Sequence, residues 1–297
     1  MLLPILHPEF NMPELPEVEV TKLGLEPLLP GRTVKKVSWS SKRLRVPMPR
    51  TLLSQYIYGS AFISIDRRGK FLLLRMVNKS VLVIHLGMTG KLSAVSSDLP
   101  PAKHDHLRLL LDNKTELRFN DSRRFGSISV WPSDQASLLE RKLSDTVGVE
   151  PFSRKMNADY LLQSSLSRTQ PVKNFLMDGK IVAGIGNIYA NEILFDVKIH
   201  PQTPANSITR SGWNKVVASS RKILKKAILA GGSTISDFLG TSGNPGYFQL
   251  QLNVYGRKGK RCTKCKSSIH KIVLAGRATF YCPGCQLFPD TVPKKQG

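Results

Sequence analysis

The sequence predicts an α+β protein: a β-rich sandwich or barrel first, helices after it, and a small cysteine-bearing hairpin near the end. Three observations predict this. Residues 34–131 break into short apolar runs separated by turn residues, at strand spacing. Beyond Pro132 the apolar residues recur at helical spacing with polar residues between them. From Val254 onward short strand-like stretches alternate with paired cysteines.

Taken in order, residues 13–30 read as a helix start, with a proline at the front, early acids at Glu14, Glu17 and Glu19, then Leu23 and Leu28. Strand candidates are AFISI (61–65), KFLLLRM (70–76), VLVIHLGM (81–88), HLRLLL (106–111) and GSISVW (126–131), with DNKTE (112–116) as a hairpin turn. LLERKL (138–143), ADYLLQSSL (158–166), NIYANEILFDV (187–197) and WNKVVASSRKILKKAILAG (213–231) read as helices with polar faces. GTSGNPGYF (240–248) is glycine-rich and reads as a mobile loop. The change of texture puts a domain boundary near residues 132–152. The expected division is an extension over 1–11, a first domain over 12–145, a helical domain over 146–250, and a hairpin with its tail over 251–297.

Charge narrows the partners. Of 297 residues, 44 are Lys or Arg and 21 are Asp or Glu, a formal net charge of +23. Such an excess sets up a positive field that favours polyanions, nucleic acid above all. An anionic membrane surface is the rival, but no stretch approaches the roughly 20 apolar residues of a spanning helix. The opening MLLPILHPEFN lacks a basic leader region and is interrupted by Pro4 and Pro8, so it makes a poor secretory signal. A cytoplasmic, reducing compartment is expected, where paired cysteines more often hold metal than form disulfides.

The chain's four cysteines form two C-x2-C pairs, Cys262 with Cys265 and Cys282 with Cys285. Two thiolate pairs on tight knuckles can supply the four tetrahedral ligands of one Zn²⁺. With every position filled by protein, that ion is structural rather than catalytic. Around it sit Arg257, Lys258, Lys260, Arg261, Lys264, Lys266, Lys271 and Arg277, the charge pattern of a phosphate-facing module.

Longer motifs then carry a resemblance. MPELPEVEV (12–20), GKFLLL (69–74), HLGMTGKL (85–92), KHDHLRL (103–109), DSRRFG (121–126), LMDGKIVAGIGNIYANEILF (176–195), GNPGYF (243–248), VYGRKGKRC (254–262) and RATFYCPGCQ (277–286) resemble, in this order, the motifs of bacterial formamidopyrimidine-DNA glycosylases. The resemblance implies an N-terminal β-sandwich, a C-terminal helical domain with a helix–two-turn–helix, and a zinc-finger β-hairpin, with DNA in the cleft between the domains. It implies a bifunctional enzyme that excises oxidised purines such as 8-oxoguanine and formamidopyrimidines from double-stranded DNA, acts at abasic sites, and cuts the strand by β,δ-elimination. A cytoplasmic, nucleoid-associated monomer follows from the same likeness.

The likeness also assigns residues. Pro13, freed at the amino terminus, is the nucleophile. An α-amino group has an ordinary pKa of about 8, so a fair fraction is free base, and attack on C1′ forms an iminium that serves as an electron sink. Glu14 is the acid that protonates the deoxyribose ring oxygen, which asks for a raised pKa. Glu17, one turn on, supports it. Lys70 matches the lysine that contacts the lesion phosphate, and Arg277 the zinc-finger arginine that assists the second elimination. His104, Arg168 and Asn187 match DNA-contacting positions, Asn187 with its neighbouring N–H groups gripping phosphates and the Gly184–Gly186 pair allowing close approach. Met88, Arg123 and Phe125 match the side chains that fill the gap left by a flipped nucleotide. Without the resemblance, Pro13 reads as a first-turn proline, Glu14 as an acid at a helix start, Lys70 as a solvated lysine, His104 as a loop histidine, and Met88 and Phe125 as core.

Two departures stand out. Ser122 occupies a position where the family usually has proline. Eleven residues precede Met12; while they remain, the nitrogen of Pro13 is a tertiary amide and forms no Schiff base. The expected start is Met12. The alternatives are a lesion-binding protein that does not cut, and an enzyme that prefers oxidised pyrimidines.

Overall fold

The structure is a computed structural model that describes residues 13–231 and 252–288. The expected extension over 1–11 and the glycine-rich loop over 240–248 lie outside the described residues.

Helix α1 (Leu15–Leu25) opens the described chain. It is shorter than the helix start at 13–30 allows, because Pro27 and Pro30 offer no N–H to continue the ladder. There follow β1 (Val34–Trp39), a short α2 (Arg50–Leu52) running into a wide turn over Leu53–Ile57, β2 (Phe62–Arg68), β3 (Phe71–Met76), β4 (Val81–His85), β5 (Lys91–Ser96), β6 (Asp105–Leu111), β7 (Thr115–Asn120) and β8 (Ser127–Trp131). The run at 81–88 is strand only to His85, because Gly87 turns the chain at a φ of +70°.

The eight strands form two antiparallel sheets, ordered β1-β6-β7-β5 and β2-β3-β4-β8. Leu92, Leu107, Leu109, Leu117 and Phe119 of one sheet share a core with Phe62, Leu72, Leu74, Leu82, Ile84 and Ile128 of the other, closed at one side by Val18 and Leu25 of α1. The architecture is therefore the sandwich, not the barrel. β3 is apolar on both faces for a reason: Leu73 points away from that core, into a second cluster with Val83, Leu139, Leu143 and Val147.

The helical part holds α3 (Ala136–Thr146), α4 (Ala158–Ser165), α5 (Val172–Met177), α6 (Asn187–Asp196) and α7 (Arg210–Leu229). α5 escaped the sequence reading, being only six residues long. α6 is buried from Ile188 to Phe195 and forms the axis of the helical core. The hairpin, β9 (His270–Leu274) with β10 (Arg277–Tyr281), packs Ile269, Phe280, Cys262 and Cys282 into that same core.

Candidate active site

Pro13 and Glu14 stand at the head of α1, where that helix meets the start of α6. Glu14 is fully enclosed, at 2% exposure. Its carboxylate accepts hydrogen bonds from the N–H groups of Gly186 (2.7 Å), Ile188 (2.8 Å) and Tyr189 (3.4 Å), the unsatisfied donors of the first turn of α6. The approach demands glycine at 186, where an added Cβ would lie 2.4 Å from Glu14 Cδ. It demands glycine at 184 as well, at a φ of +82° and with a Cβ 2.6 Å from that of Leu15. The glycine pair and the amides beside Asn187 were expected to receive phosphate; instead they receive Glu14 and Leu15 of the protein itself. Burial pushes the Glu14 pKa up to about 7. The ammonium of Lys70 pulls it down, Glu17 pushes it further up, and the backbone donors pull it down; burial prevails. Glu17 holds this corner in place, accepting from the Glu14 N–H (2.9 Å) and the Tyr189 hydroxyl (2.8 Å).

Lys70 follows the left-handed Gly69 (φ +57°) at the β2–β3 turn. Burial lowers its pKa, Glu14 and Glu17 oppose that, and Arg277 adds to it. Arg277 stands exposed at the start of β10, just past a turn made by Ala275 and Gly276 at positive φ. Thus Glu14, Lys70 and Arg277, from three distant segments, are electrostatic neighbours. His85 lines the same region: burial first, then Lys70 and Arg45, lowers its pKa to about 4, so the ring is neutral near pH 7 and its Nδ1 accepts from Gly87 N at 3.0 Å.

The three gap-filling candidates come together on two loops in direct backbone contact. A Cβ on Gly87 would sit 2.4 Å from Gly126 N, so the 86–90 and 121–126 loops touch. Asp121, wholly buried, ties them: it accepts from the Thr89 hydroxyl (2.5 Å) and Gly126 N (2.8 Å), while Thr89 Oγ1 accepts from Arg123 N (3.1 Å). Arg123 lies over the Phe125 ring, 5.0 Å from its centroid, and Phe125 is 45% exposed although a core position would hide it. Met88 is half-buried. The turn with Ser122 keeps its shape through Asp121, the partner that the sequence reading passed over. His104 is half-buried beside this loop, its carbonyl accepting from Asp121 N at 3.0 Å.

Asn187 begins α6 and donates from Nδ2 to the carbonyl of Ala278 (3.0 Å); its buried Oδ1 has no partner within the described residues. Lys173, fully buried, donates to the same carbonyl (3.1 Å) and to Thr279 Oγ1 (2.6 Å). Burial, then Arg277, lowers its pKa to about 8. Nothing in the sequence singles out this lysine. Glu192, a buried acid of α6, accepts from the backbone N–H groups of Asn253, Val254 and Tyr255 at 2.9–3.0 Å and so anchors the segment leading to the cysteines. Arg168 sits after α4, exposed, 3.9 Å from Asp178.

The four cysteine sulfurs all lie within 4.8 Å of one another. Tetrahedral zinc with bonds of about 2.3 Å places its sulfurs roughly 3.8 Å apart, so the donor set fits the ion. The Lys264 N–H points at Cys262 Sγ (3.4 Å), a knuckle contact. One structural Zn²⁺ belongs here, and its part is to fix the hairpin that carries Arg277.

The chain is similar to known proteins along nearly its whole length. A family model described as the formamidopyrimidine-DNA glycosylase N-terminal domain matches residues 12–128, the H2TH domain of that glycosylase matches 147–239, and a zinc finger found in FPG and IleRS matches 259–287. A formamidopyrimidine-DNA glycosylase of Legionella pneumophila subsp. pneumophila is 45% identical over 275 residues, covering 93% of this chain and 98% of the relative. One of Idiomarina loihiensis is 45% identical, covering 93% and 100%. Among solved structures, Lactococcus lactis Fpg with DNA containing an abasic site matches at a TM-score of 0.83 and 34% identity, over 93% of this chain and 100% of the other. The same enzyme with Fapy-dG DNA matches with those same values.

Proposed function

This chain belongs to the formamidopyrimidine-DNA glycosylase family, and on that premise we propose that it excises oxidised purines from double-stranded DNA and cleaves the strand at the resulting abasic site. The observation that carries the reading is Glu14: a buried carboxyl with a pKa near 7, at the head of α1, next to the Lys70 ammonium and one residue after Pro13. A group titrating there can hold a proton at neutral pH and give it to the sugar ring oxygen as the C1′–O4′ bond breaks and the ring opens. Pro13, once terminal, supplies a secondary amine that attacks C1′; the base leaves with the C1′–N bonding electrons and takes up the proton the amine sheds, and the C1′–O4′ bond then breaks toward the ring oxygen, which receives the Glu14 proton, leaving an iminium. Loss of a C2′ proton to solvent sends the C2′–H electrons toward that iminium, and the 3′ phosphate leaves with the C3′–O electrons. Lys70 and Arg277 hold the phosphates whose bonds break. Met88, Arg123 and Phe125 enter the stack when the nucleotide is flipped out. His104, Asn187 and Arg168 belong to the DNA-contacting surface, with Glu17 supporting Glu14.

The division into 12–145, 146–250 and 251–297 is part of this proposal, supported by separate cores for the sandwich and the helices, although the hairpin shares the helical core. So is a start at Met12, with methionine removed ahead of Pro13, and a monomer in the cytoplasm near the nucleoid. No helix among the described residues is long and apolar enough to cross a membrane.

The test is direct. The protein with Pro13 at its terminus should release 8-oxoguanine from duplex DNA, nick the strand and give a borohydride-trapped adduct at Pro13. Pro13→Gly should lose most nicking and keep DNA binding and zinc. Full-rate excision by molecules whose intact mass still includes residues 1–12 would remove Pro13 from the mechanism. Faster excision of thymine glycol than of 8-oxoguanine would move the substrate to oxidised pyrimidines.

A further inference from the structure

The turn that presents Lys70 is gripped from the other side of the domain seam. Both polar groups of Gly69, the residue before Lys70, are engaged: its N–H donates to Glu150 Oε1 (2.6 Å), and its carbonyl accepts from Arg67 Nη1 (3.0 Å). Arg67 Nη1 also reaches Glu150 Oε2 (2.9 Å), and its Nε pairs with Glu19 of α1. Arg68 Nη1 meets Glu150 Oε1 (3.2 Å), and its Nη2 donates to the carbonyl of Val147 (2.6 Å). Glu150 itself comes from the segment after α3, more than 80 residues away in sequence. One carboxylate therefore holds one backbone amide and two guanidiniums, and through Arg67 it is linked to the helix that carries Glu14.

Gly69 sits at a φ of +57°, so the turn is left-handed, and a Cβ there would press on Val147 Cγ1 at 3.0 Å. Glycine enters such a turn without strain but is as free to leave it, so hydrogen bonds are what fix its geometry. Charge-assisted bonds to a partly buried carboxylate are the strong kind. We propose that Glu150 is the positioning residue for Lys70: its grip on Gly69 sets where the Lys70 ammonium sits in the cleft, while Glu150 itself touches no reacting atom. This rests on the function proposed above, in which Lys70 holds the lesion phosphate.

The experiment uses the full chain with Pro13 terminal and zinc bound. Single-turnover cleavage of duplex containing an abasic site is measured for wild type, Glu150→Ala, Glu150→Gln and Lys70→Ala, and for Glu150→Ala combined with Lys70→Ala. Binding is read on duplex carrying a tetrahydrofuran abasic analogue. Misplacing a catalytic group by an ångström can lower a rate by about 100-fold, so Glu150→Ala should slow cleavage by roughly 10- to 100-fold with little change in Kd. Glu150→Gln should recover part of the rate, because its amide oxygen can still accept the Gly69 N–H. On the Lys70→Ala background the Glu150 change should add nothing. Amide exchange at Gly69 should speed in Glu150→Ala, less in Glu150→Gln, while β3 and β4 stay protected. The proposal is overturned if Glu150→Ala cleaves at the wild-type rate, if it slows the Lys70→Ala protein by the same factor as the wild type, or if Gly69 exchange is unchanged. A wild-type protein that neither excises nor nicks would instead refute the proposed function, and the exchange result would still judge the grip.

Discussion

At the scale of single residues, the site depends on how Glu14 is enclosed. Its carboxyl ordinarily titrates at 4.5 and here at about 7. Between those values the folded protein keeps a proton that the unfolded chain has released, so stability falls as pH rises through this window. The difference between those two values is worth about 3 kcal/mol. Melting curves should therefore drop more steeply from pH 5 to 7.5 in the wild type than in Glu14→Gln; parallel drops would mean that the carboxyl is not burdened by burial. The catalytic sign follows from the same proton. The chemistry needs Glu14 in its acid form and the terminal amine, ordinarily near 8, as free base, so the single-turnover rate should pass through a maximum between about pH 7 and 8 and fall on either side, and Glu14→Gln should be slow at every pH. Gly186→Ala offers an independent check. Its new methyl would collide with Glu14 at 2.4 Å. We expect a loss of about 1–3 kcal/mol in stability and a deep loss of excision with zinc content intact, read by calorimetry and single-turnover assay.

At the scale of elements, the hairpin depends on α6. Asn191 makes the link: its Oδ1 accepts from Phe280 N of β10 (2.8 Å), and its Nδ2 donates to the carbonyl of Asn187 (2.5 Å). Removing a buried bond of this kind leaves a polar group unsatisfied, at about 1–3 kcal/mol. Asn191→Ala should thus release zinc to a chelator faster than wild type, followed with a colorimetric dye, and Asn191→Asp should lie between, because it keeps the acceptor. Zinc removal itself should open β9 and β10, since metal binding and folding of such a module are coupled. Strand cleavage should fall with the loss of Arg277, while β3 and β4 in the sandwich core keep their exchange protection. Equal deprotection of the sandwich would show that the three parts melt as one.

At the scale of the whole molecule, the net charge of +23 decides how the protein meets DNA. Cations that neutralise phosphates release counterions, so log Kd should rise linearly with log salt at about 0.9 per phosphate engaged. The slope, measured by fluorescence anisotropy on an undamaged duplex, should shrink when zinc is removed, because the hairpin's cations are then no longer presented together. An unchanged slope would place the phosphate contacts on the sandwich and helices alone.

The sequence by itself determined the α+β class, the order of strands before helices, the four sulfur ligands and the ordered motifs that carry the family. These are local patterns: period-two and helical spacing, and paired cysteines two residues apart, are written within a few residues of themselves. It also named Glu14, Lys70 and Arg277, which the fold makes electrostatic neighbours. What it could not express is which groups meet. Glu14 finds its backbone donors 172–175 residues away, Lys173 finds the hairpin more than 100 residues on, and Glu150 reaches back more than 80 to the Lys70 turn. Asp121 and Glu192 likewise became legible only through the amides that surround them. The proton on Glu14 and the aim of Lys70 follow from burial and from partners brought by remote segments, and only the packed fold brings those together.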